Sequence, residues 1–342
     1  MQVDFIIVGQ GLAGTVLALE LMERGQRILV VDNGRRSAAS RVAAGIINPV
    51  TGKRLAPSWR VDELLPEALE YYRRWEGRRG VTVYHPRVMR RYLTPEQRAR
   101  YWPKRLAAGE LKPYLARSRP AGPESEVLEF QPSGFLDTTA FLDHSARILD
   151  KNQALLRAGF SYDDLKVERA GVSWREVRAR RIIFCEGYKA ASNPYFDWLP
   201  FTPAKGEILT LRAPDLAVDT ILNNGKWLLP LGDGRVRVGA TYEWDALDEV
   251  PTAAGRIELD RAFASLAGDV PAEPLDHQAG VRAILKDTKP VIGFHPGFDA
   301  VGIFNGLGSK GAMIAPYFAR RFAVHLLHGS PLEDEVDVRR NF

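Results

Sequence analysis

The sequence predicts an α/β fold in which a parallel-sheet domain is interrupted by an antiparallel-sheet (α+β) domain. Three observations predict it. An apolar run at Phe5–Val8 leads through a glycine turn and a helical stretch into a second apolar run ending at Asp32. The middle of the chain instead carries short alternating strands and a tight hairpin turn. Near the C-terminus a strand at Val301–Phe304 again leads through a glycine-rich turn, Gly306–Gly311, into a helix. Parallel-type units at both ends place 1–75, 137–200 and 280–342 in the first domain, and leave 76–136 and 201–279 to the second.

Composition permits two cores. The 342 residues are 45% hydrophobic and 26% charged, which excludes disordered and fibrous classes. A single cysteine, Cys185, rules out an intrachain disulfide. No apolar run approaches the ~20 residues that span a bilayer. The first strand begins directly after Met1, so the reading expects no signal peptide and a cytoplasmic protein.

The elements follow in order. Phe5–Val8 is a continuous apolar run, the mark of a strand buried on both faces. Gly11–Arg24 reads as a helix ended by Gly25, and Arg27–Asp32 as a second buried strand. A helix is expected over Val61–Arg79, capped by Asp62, with Leu64, Leu65, Leu69, Tyr72 and Trp75 on one face. Pro86–Pro132 reads as irregular because Pro95, Pro103, Pro113, Pro120 and Pro123 break any long element. Helices are expected at Thr138–Lys151 and Arg256–Leu266. Strands are expected at Val177–Cys185, Glu207–Leu211, Lys226–Leu229, Arg235–Val238 and Gly280–Ile284, with Gly232–Gly234 as a hairpin turn. Asp163 and Asp164, and Glu333–Glu335, read as solvated turns. The final helix runs from Ala312 to His328.

The net charge of +5 is uneven. Ten Lys/Arg against two acids between Arg87 and Arg119 give that segment +8. With Tyr92, Tyr101, Trp102 and Tyr114 interleaved it reads either as a nucleic-acid surface or as an arginine-rich solvated face.

Gly9-x-Gly11-x-x-Gly14 is a full G-x-G-x-x-G in the right context: it follows a strand, opens a helix, and is followed eighteen residues later by Asp32. Gly9 permits the tight turn, Gly11 lets backbone approach a pyrophosphate, and Gly14 lets helix and sheet close up. The helix N-terminus, with Leu12 and Ala13, offers N–H groups and a positive dipole end to phosphates. Asp32, with Asn33 beside it, suits a ribose hydroxyl and disfavours a 2′-phosphate. The fingerprint predicts a Rossmann-type dinucleotide site without choosing between FAD and NAD.

Further segments resemble the D-amino-acid-oxidase superfamily of FAD enzymes, in its glycine oxidase and sarcosine oxidase branch. Ser40–Pro49, with Ser40, Arg41, Ala44, Gly45 and Ile46, resembles the second flavin loop. Arg181–Gly187 resembles the strand and glycine that close on the adenosine side. Gly239–Thr241 resembles a strand over the flavin facing substrate. Gly280–Arg282, Lys286–Pro290 and Gly306–Gly311 (Gly306, Leu307, Gly308, Ser309, Lys310, Gly311) resemble the C-terminal signature. The resemblance implies FAD, held without a covalent bond because no cysteine lies near the C-terminal flavin segments. A helix starting after Gly306–Gly311 would stabilise negative charge on a reduced flavin.

In the resembled family an arginine at the position of Arg282 pairs with the substrate carboxylate; the alternative is a structural ion pair. A second clamp residue of glycine oxidases is replaced here by Ser309, which leaves the substrate open. Tyr242 reads as a pocket or a core residue. Lys310 reads as a cation at the flavin edge or a surface lysine. Trp59 and Arg60 are further candidates. His325 and His328, three apart on the last helix, read as a solvated helix end, and no metal site is expected.

The resemblance implies an FAD-dependent oxidoreductase acting on the C–N bond of an amino acid or secondary amine, with O2 or another acceptor. Two alternatives stand beside it. One is the FAD-dependent modification of a tRNA wobble uridine, whose enzymes usually carry a fused methyltransferase that this sequence does not show. The other is a flavin-binding module without turnover. The oligomeric state is open.

Overall fold

The computed structural model describes residues 1–120 and 126–342. Its first sheet is centred on the strand Gln2–Val8, which pairs in parallel with Ile28–Asp32 on one side and Val177–Phe184 on the other. Ile6, Ile7, Val30, Ile182 and Ile183 are fully buried, because layers cover both faces; that is why these strands read as unbroken apolar runs. Leu155–Arg157 extends the sheet beyond Ile28–Asp32 in parallel, and Phe298–Asn305 lies parallel to Val177–Phe184. Leu165–Glu168 and Gly171–Trp174 add an antiparallel hairpin.

The helix Leu12–Glu23 is buried from Leu12 to Leu21. It lies between the sheet and the last helix, Gly311–His328, and a helix covered on all sides has no use for a polar face. The last helix also packs on the helix Val61–Gly77, where the Tyr72 hydroxyl donates to the Ala312 carbonyl at 2.8 Å. Thr138–Lys151 forms as expected and is capped by Asp137, whose carboxylate accepts from Ala140 N at 2.9 Å. Such a cap contributes ~1 kcal/mol.

The second sheet is built from Glu273–Arg282, Ala204–Arg212, Arg235–Gly239, Trp227–Gly232, Ile221–Asn223, Met89–Tyr92, Glu126–Phe130 and Leu115–Pro120, in that spatial order. Only the Met89–Tyr92 and Ile221–Asn223 pair is parallel. The helix Ala253–Ala267 covers one face, seating Leu259 and Phe263 against Leu209, Leu211, Val236 and Val238. Gly280–Arg282 is thus the end of a long strand paired along Ala204–Arg212, and its continuation to Ile284 is not strand.

Several expectations are corrected. The segment 86–132 is not irregular: three strands and a helical stretch at 97–108 occupy its described part. Pro103 stands in the first turn of a helix and Pro120 ends an edge strand, two places where a missing N–H costs nothing. Pro123 lies outside the described residues. Asp62 does not cap Val61–Gly77; it accepts the Tyr114 hydroxyl, and the helix starts from Arg60 in a left-handed conformation (φ 49°). Glu333 and Glu335 are not simply solvated, since both pair with Arg60 and Glu335 also pairs with Lys289. His325 is half-buried against Phe294 and Phe322, while His328 is exposed as expected. Among the described residues no helix is long and apolar enough to cross a membrane, and no cluster of ligating side chains could hold a metal ion.

Candidate active site

A groove runs along the carboxyl ends of the central parallel strands, where open α/β sheets bind ligands. It consists of two adjoining cavities that share Leu12, Ala39, Ser40, Leu307 and Gly308. The first is lined by Gly9, Gly11, Ala13, Asp32, Asn33 and Gly187. The second, of about 780 Å³, is lined by Ala44, Gly45, Ile46, Tyr242, Arg282 and Ser309–Gly311. These sequence-predicted residues, scattered over three hundred positions, meet in one continuous space.

The first cavity is shaped by backbone. Gly9 sits at φ +104°, and a Cβ there would lie 2.5 Å from the Cys185 carbonyl oxygen. A Cβ on Gly14 would lie 1.9 Å from the Gly9 oxygen, so Gly14 serves close packing and does not itself line the cavity. A Cβ on Gly11 would press on Ser40 Oγ at 3.1 Å and fill the entrance. Ser40 Oγ accepts from Leu12 N at 3.0 Å, tying the segment around Ser40 to the helix N-terminus, whose first-turn N–H groups have no acceptor within the helix. Asp32 is held by two backbone donors, Gln10 N at 2.7 Å and Gly34 N at 2.6 Å, and keeps lone pairs for a ribose. A glycine cradle, a helix N-terminus and an oriented carboxylate fit the adenosine and pyrophosphate of a dinucleotide. Glu186, which sequence reasoning missed, borders the same cavity. Its carboxylate accepts from Tyr162 and Asn193, each at 2.7 Å, and burial pushes its pKa up.

The second cavity is shaped by side chains. Arg282 has no carboxylate within ion-pair distance among the described residues; its guanidinium reaches only the Lys205 and Thr241 carbonyls, at 3.3 and 3.4 Å. It lies over the Tyr242 ring at 4.3 Å, and burial lowers its pKa. Gly206 makes room for it: a Cβ there would stand 1.9 Å from Nη2. The structural ion pair is therefore not what holds Arg282. Tyr242 is 47% exposed and is no core residue. Lys310 is half-buried at the start of the last helix, and desolvation lowers its pKa. Ala240 lines the cavity while Thr241 is buried beneath, its hydroxyl accepting from Glu207 N at 2.9 Å.

Besides Gly14, four candidates fall outside both cavities. Arg41 pairs with Asp143 at 2.7 Å. Gly306 makes a turn at φ +75° against Leu285. Trp59 stacks on Phe318 at 5.7 Å, and Arg60 is engaged by Glu63, Glu333 and Tyr317. Among the lining residues that escaped sequence reasoning are Lys53 and Arg91, from the loop at 52–53 and the strand Met89–Tyr92. Alternation alone does not single Arg91 out, because Met89 and Arg91 share one face and Arg90 and Tyr92 the other; only the tertiary setting buries Arg91.

The sequence model of the FAD dependent oxidoreductase (DAO) family matches residues 4–324. A glycine oxidase of Pseudomonas aeruginosa is 24% identical over 353 residues, covering 96% of each chain. The bifunctional tRNA 5-methylaminomethyl-2-thiouridine biosynthesis protein of Marinobacter nauticus is 25% identical over 93% of this chain. The chain spans about half of that relative, 54% of its length. Among solved structures, iminodiacetate oxidase of a Chelativorans species superposes with a TM-score of 0.81 at 22% identity, covering 96% of each chain.

Proposed function

Since the chain belongs to the DAO family of FAD-dependent oxidoreductases, we propose that it oxidises the C–N bond of an amino acid or secondary amine. Kinship with glycine oxidase supports the amine. The observation that carries the carboxylate is Arg282: a half-buried guanidinium, stacked on Tyr242, facing the cavity with no carboxylate within ion-pair distance among the described residues. Burying a charge unpaired is costly, and an incoming carboxylate removes that cost through a two-point pair.

Gly9, Gly11, Leu12, Ala13, Asp32, Asn33, Ser40 and Gly187 would hold the adenosine and pyrophosphate, and Ala44, Gly45, Ile46 and Leu307–Gly311 the ring end. FAD, when bound without a covalent link, supplies a hydride acceptor at N5. Arg282 fixes the substrate carboxylate and so aims the carbon next to nitrogen, a gain from orientation that needs no protein base. Tyr242 keeps the guanidinium plane fixed. Lys310, a cation at the ring end, favours negative charge gained on reduction. The amine loses a hydride and a proton to become an imine, and water then cleaves the imine to a carbonyl compound and an amine.

The reading keeps 1–75, 137–200 and 280–342 as the FAD-binding portion, with 76–136 and 201–279 facing substrate. An anaerobic screen of amino acids and N-methylated amines, followed by flavin absorbance, tests it. Bleaching by carboxylated amines is expected; a flavin that no amine reduces would overturn it.

A second reading, oxidation of a carboxymethylated amine on a tRNA wobble uridine, is supported by kinship with the bifunctional tRNA protein. It uses the same Arg282 and adds a requirement for RNA binding. Trp102 and Tyr114 weigh against a stacking surface, since both are buried and bonded to acids, Trp102 to Glu126 and Tyr114 to Asp62.

A further inference from the structure

The large cavity holds more positive charge than one carboxylate can use. Five cations line it, Lys53, Arg91, Lys226, Arg282 and Lys310, against one acid, Glu96. Two of the five are already matched: Lys53 pairs with Glu96 at 2.8 Å, and Lys226 pairs with Glu258 at 2.5 Å and donates to the Ala240 carbonyl. Lys310 stands at the flavin end and Arg282 takes the substrate carboxylate in the reading above. Arg91 is left over.

Arg91 is 5% exposed. Its Nη2 donates to the Gly52 carbonyl at 2.8 Å, and its buried Nε has no partner among the described residues. Its neighbour in sequence, Arg90, takes the nearby acid, Glu129, at 3.0 Å. The strand's alternation turns Arg91 inward beside Met89, onto the cavity wall made by the loop at 51–53. Desolvation lowers its pKa to about 10, so the guanidinium stays charged at neutral pH. A buried, charged fork with one neutral acceptor and an idle donor needs an anion that the protein does not supply.

We propose that Arg91 binds a second carboxylate of the substrate, so that the amine oxidised is a small dicarboxylic amino or imino acid. This rests on the reading of Arg282 as the first carboxylate site. One acid group sits on the wall formed by the end of Glu273–Arg282, the other on the wall formed by Met89–Tyr92, and the nitrogen lies between them.

The test uses the FAD-loaded protein and two ligands that cannot become imines. Thiodiacetate carries two carboxylates about a sulfur; (methylthio)acetate carries one. Each is titrated by calorimetry and by perturbation of the flavin spectrum. The wild-type protein is expected to prefer the diacid by roughly 10- to 100-fold, the worth of one charge-assisted pair. Arg91→Met should bring the diacid down to the affinity of the monoacid while leaving the monoacid unchanged. Arg91→Lys, which keeps charge but loses the fork, should recover part of the preference, and it carries the test if the methionine variant does not fold. Equal affinities in the wild-type protein, or equal loss for both ligands in the variants, would overturn the proposal. Diacid selectivity through Arg91 with no amine able to bleach the flavin would instead remove the amine-oxidation reading and keep the Arg91 site. Bleaching by monocarboxylic amines without diacid selectivity would do the reverse.

Discussion

The two ends of the groove are built on different principles. At the nucleotide end the working parts are backbone: glycines that admit no side chain, orphan N–H groups of a helix, and one carboxylate oriented by two amides. At the proposed substrate end they are long side chains, Arg91 and Arg282 from distant strands, Tyr242 from the loop after Arg235–Gly239, and Lys310 from a helix start. A backbone device is local, because strand, turn and helix must be adjacent in sequence, and a fixed spacing results. A cluster of side chains has no such spacing. The nucleotide end should therefore fail all at once when altered, and the substrate end by degrees.

The sharpest break is Gly11→Val. Its Cβ would start 3.1 Å from Ser40 Oγ and its branches would stand where the pyrophosphate approaches. FAD binding is expected to be lost, with a folded or partly folded colourless protein remaining; a normal flavin spectrum would reduce the fingerprint to a turn. In the wild-type protein, acid precipitation should release the flavin as FAD into the supernatant.

Arg282→Lys should be graded. FAD content stays, and flavin reduction by a carboxylated amine falls roughly 10- to 150-fold, the loss of about 1.5–3 kcal/mol from a charge-assisted pair. Gly206→Ala reaches the same result from the other side, because its methyl would occupy the guanidinium's place. An amine without a carboxylate should be indifferent to both. Equal loss for both amines in stopped-flow reduction would take Arg282 out of the site.

This contrast also explains what could be read from the sequence. Gln2–Val8, Leu12–Glu23 and Ile28–Asp32 were legible because burial on both faces leaves unbroken apolar runs around a glycine motif. Met89–Tyr92 was not: Met-Arg-Arg-Tyr carries two arginines, one paired with Glu129 and the other buried, and only the tertiary setting says which. The first half of Glu273–Arg282, Glu-Pro-Leu-Asp-His-Gln, is as polar as a loop because it is a partly exposed edge strand. Arg282 was found through family resemblance, and its dependence on Gly206, seventy-six positions away, has no local signal.

A smaller effect is expected at Lys310. Burial disfavours its charged form, so the proton leaves below lysine's ordinary 10.5. Its assistance to flavin reduction is thus present while the amine is protonated and lost as pH rises through the lowered value. Lys310→Met should slow reduction about tenfold, or ~1.4 kcal/mol, for every amine alike. Lys310→Arg, which does not titrate, should hold its rate to higher pH than the wild-type protein. Coincident pH profiles for the lysine and arginine forms would separate Lys310 from the ring end.

The smallest effect belongs outside the groove. In the basic segment, Arg90 and Arg105 pair with Glu129 and Glu110, and Arg91 turns inward. Lys112, Arg117 and Arg119 remain exposed. Exposed charges contribute little to stability, so neutralising these three to Gln should move it by no more than about 0.5 kcal/mol each. Flavin reduction by small amines should not change, because none of the three lines either cavity. The same variant decides between the two enzyme readings. Were a tRNA backbone to lie on this edge, wild-type binding would weaken steeply with salt, and removing three phosphate contacts would lower the slope of log affinity against log salt by about 3. The amine reading expects only weak retention on tRNA, lost at physiological salt in the wild-type and variant proteins alike. Tight binding at that salt, with the slope reduced in the variant, would make RNA the substrate's carrier.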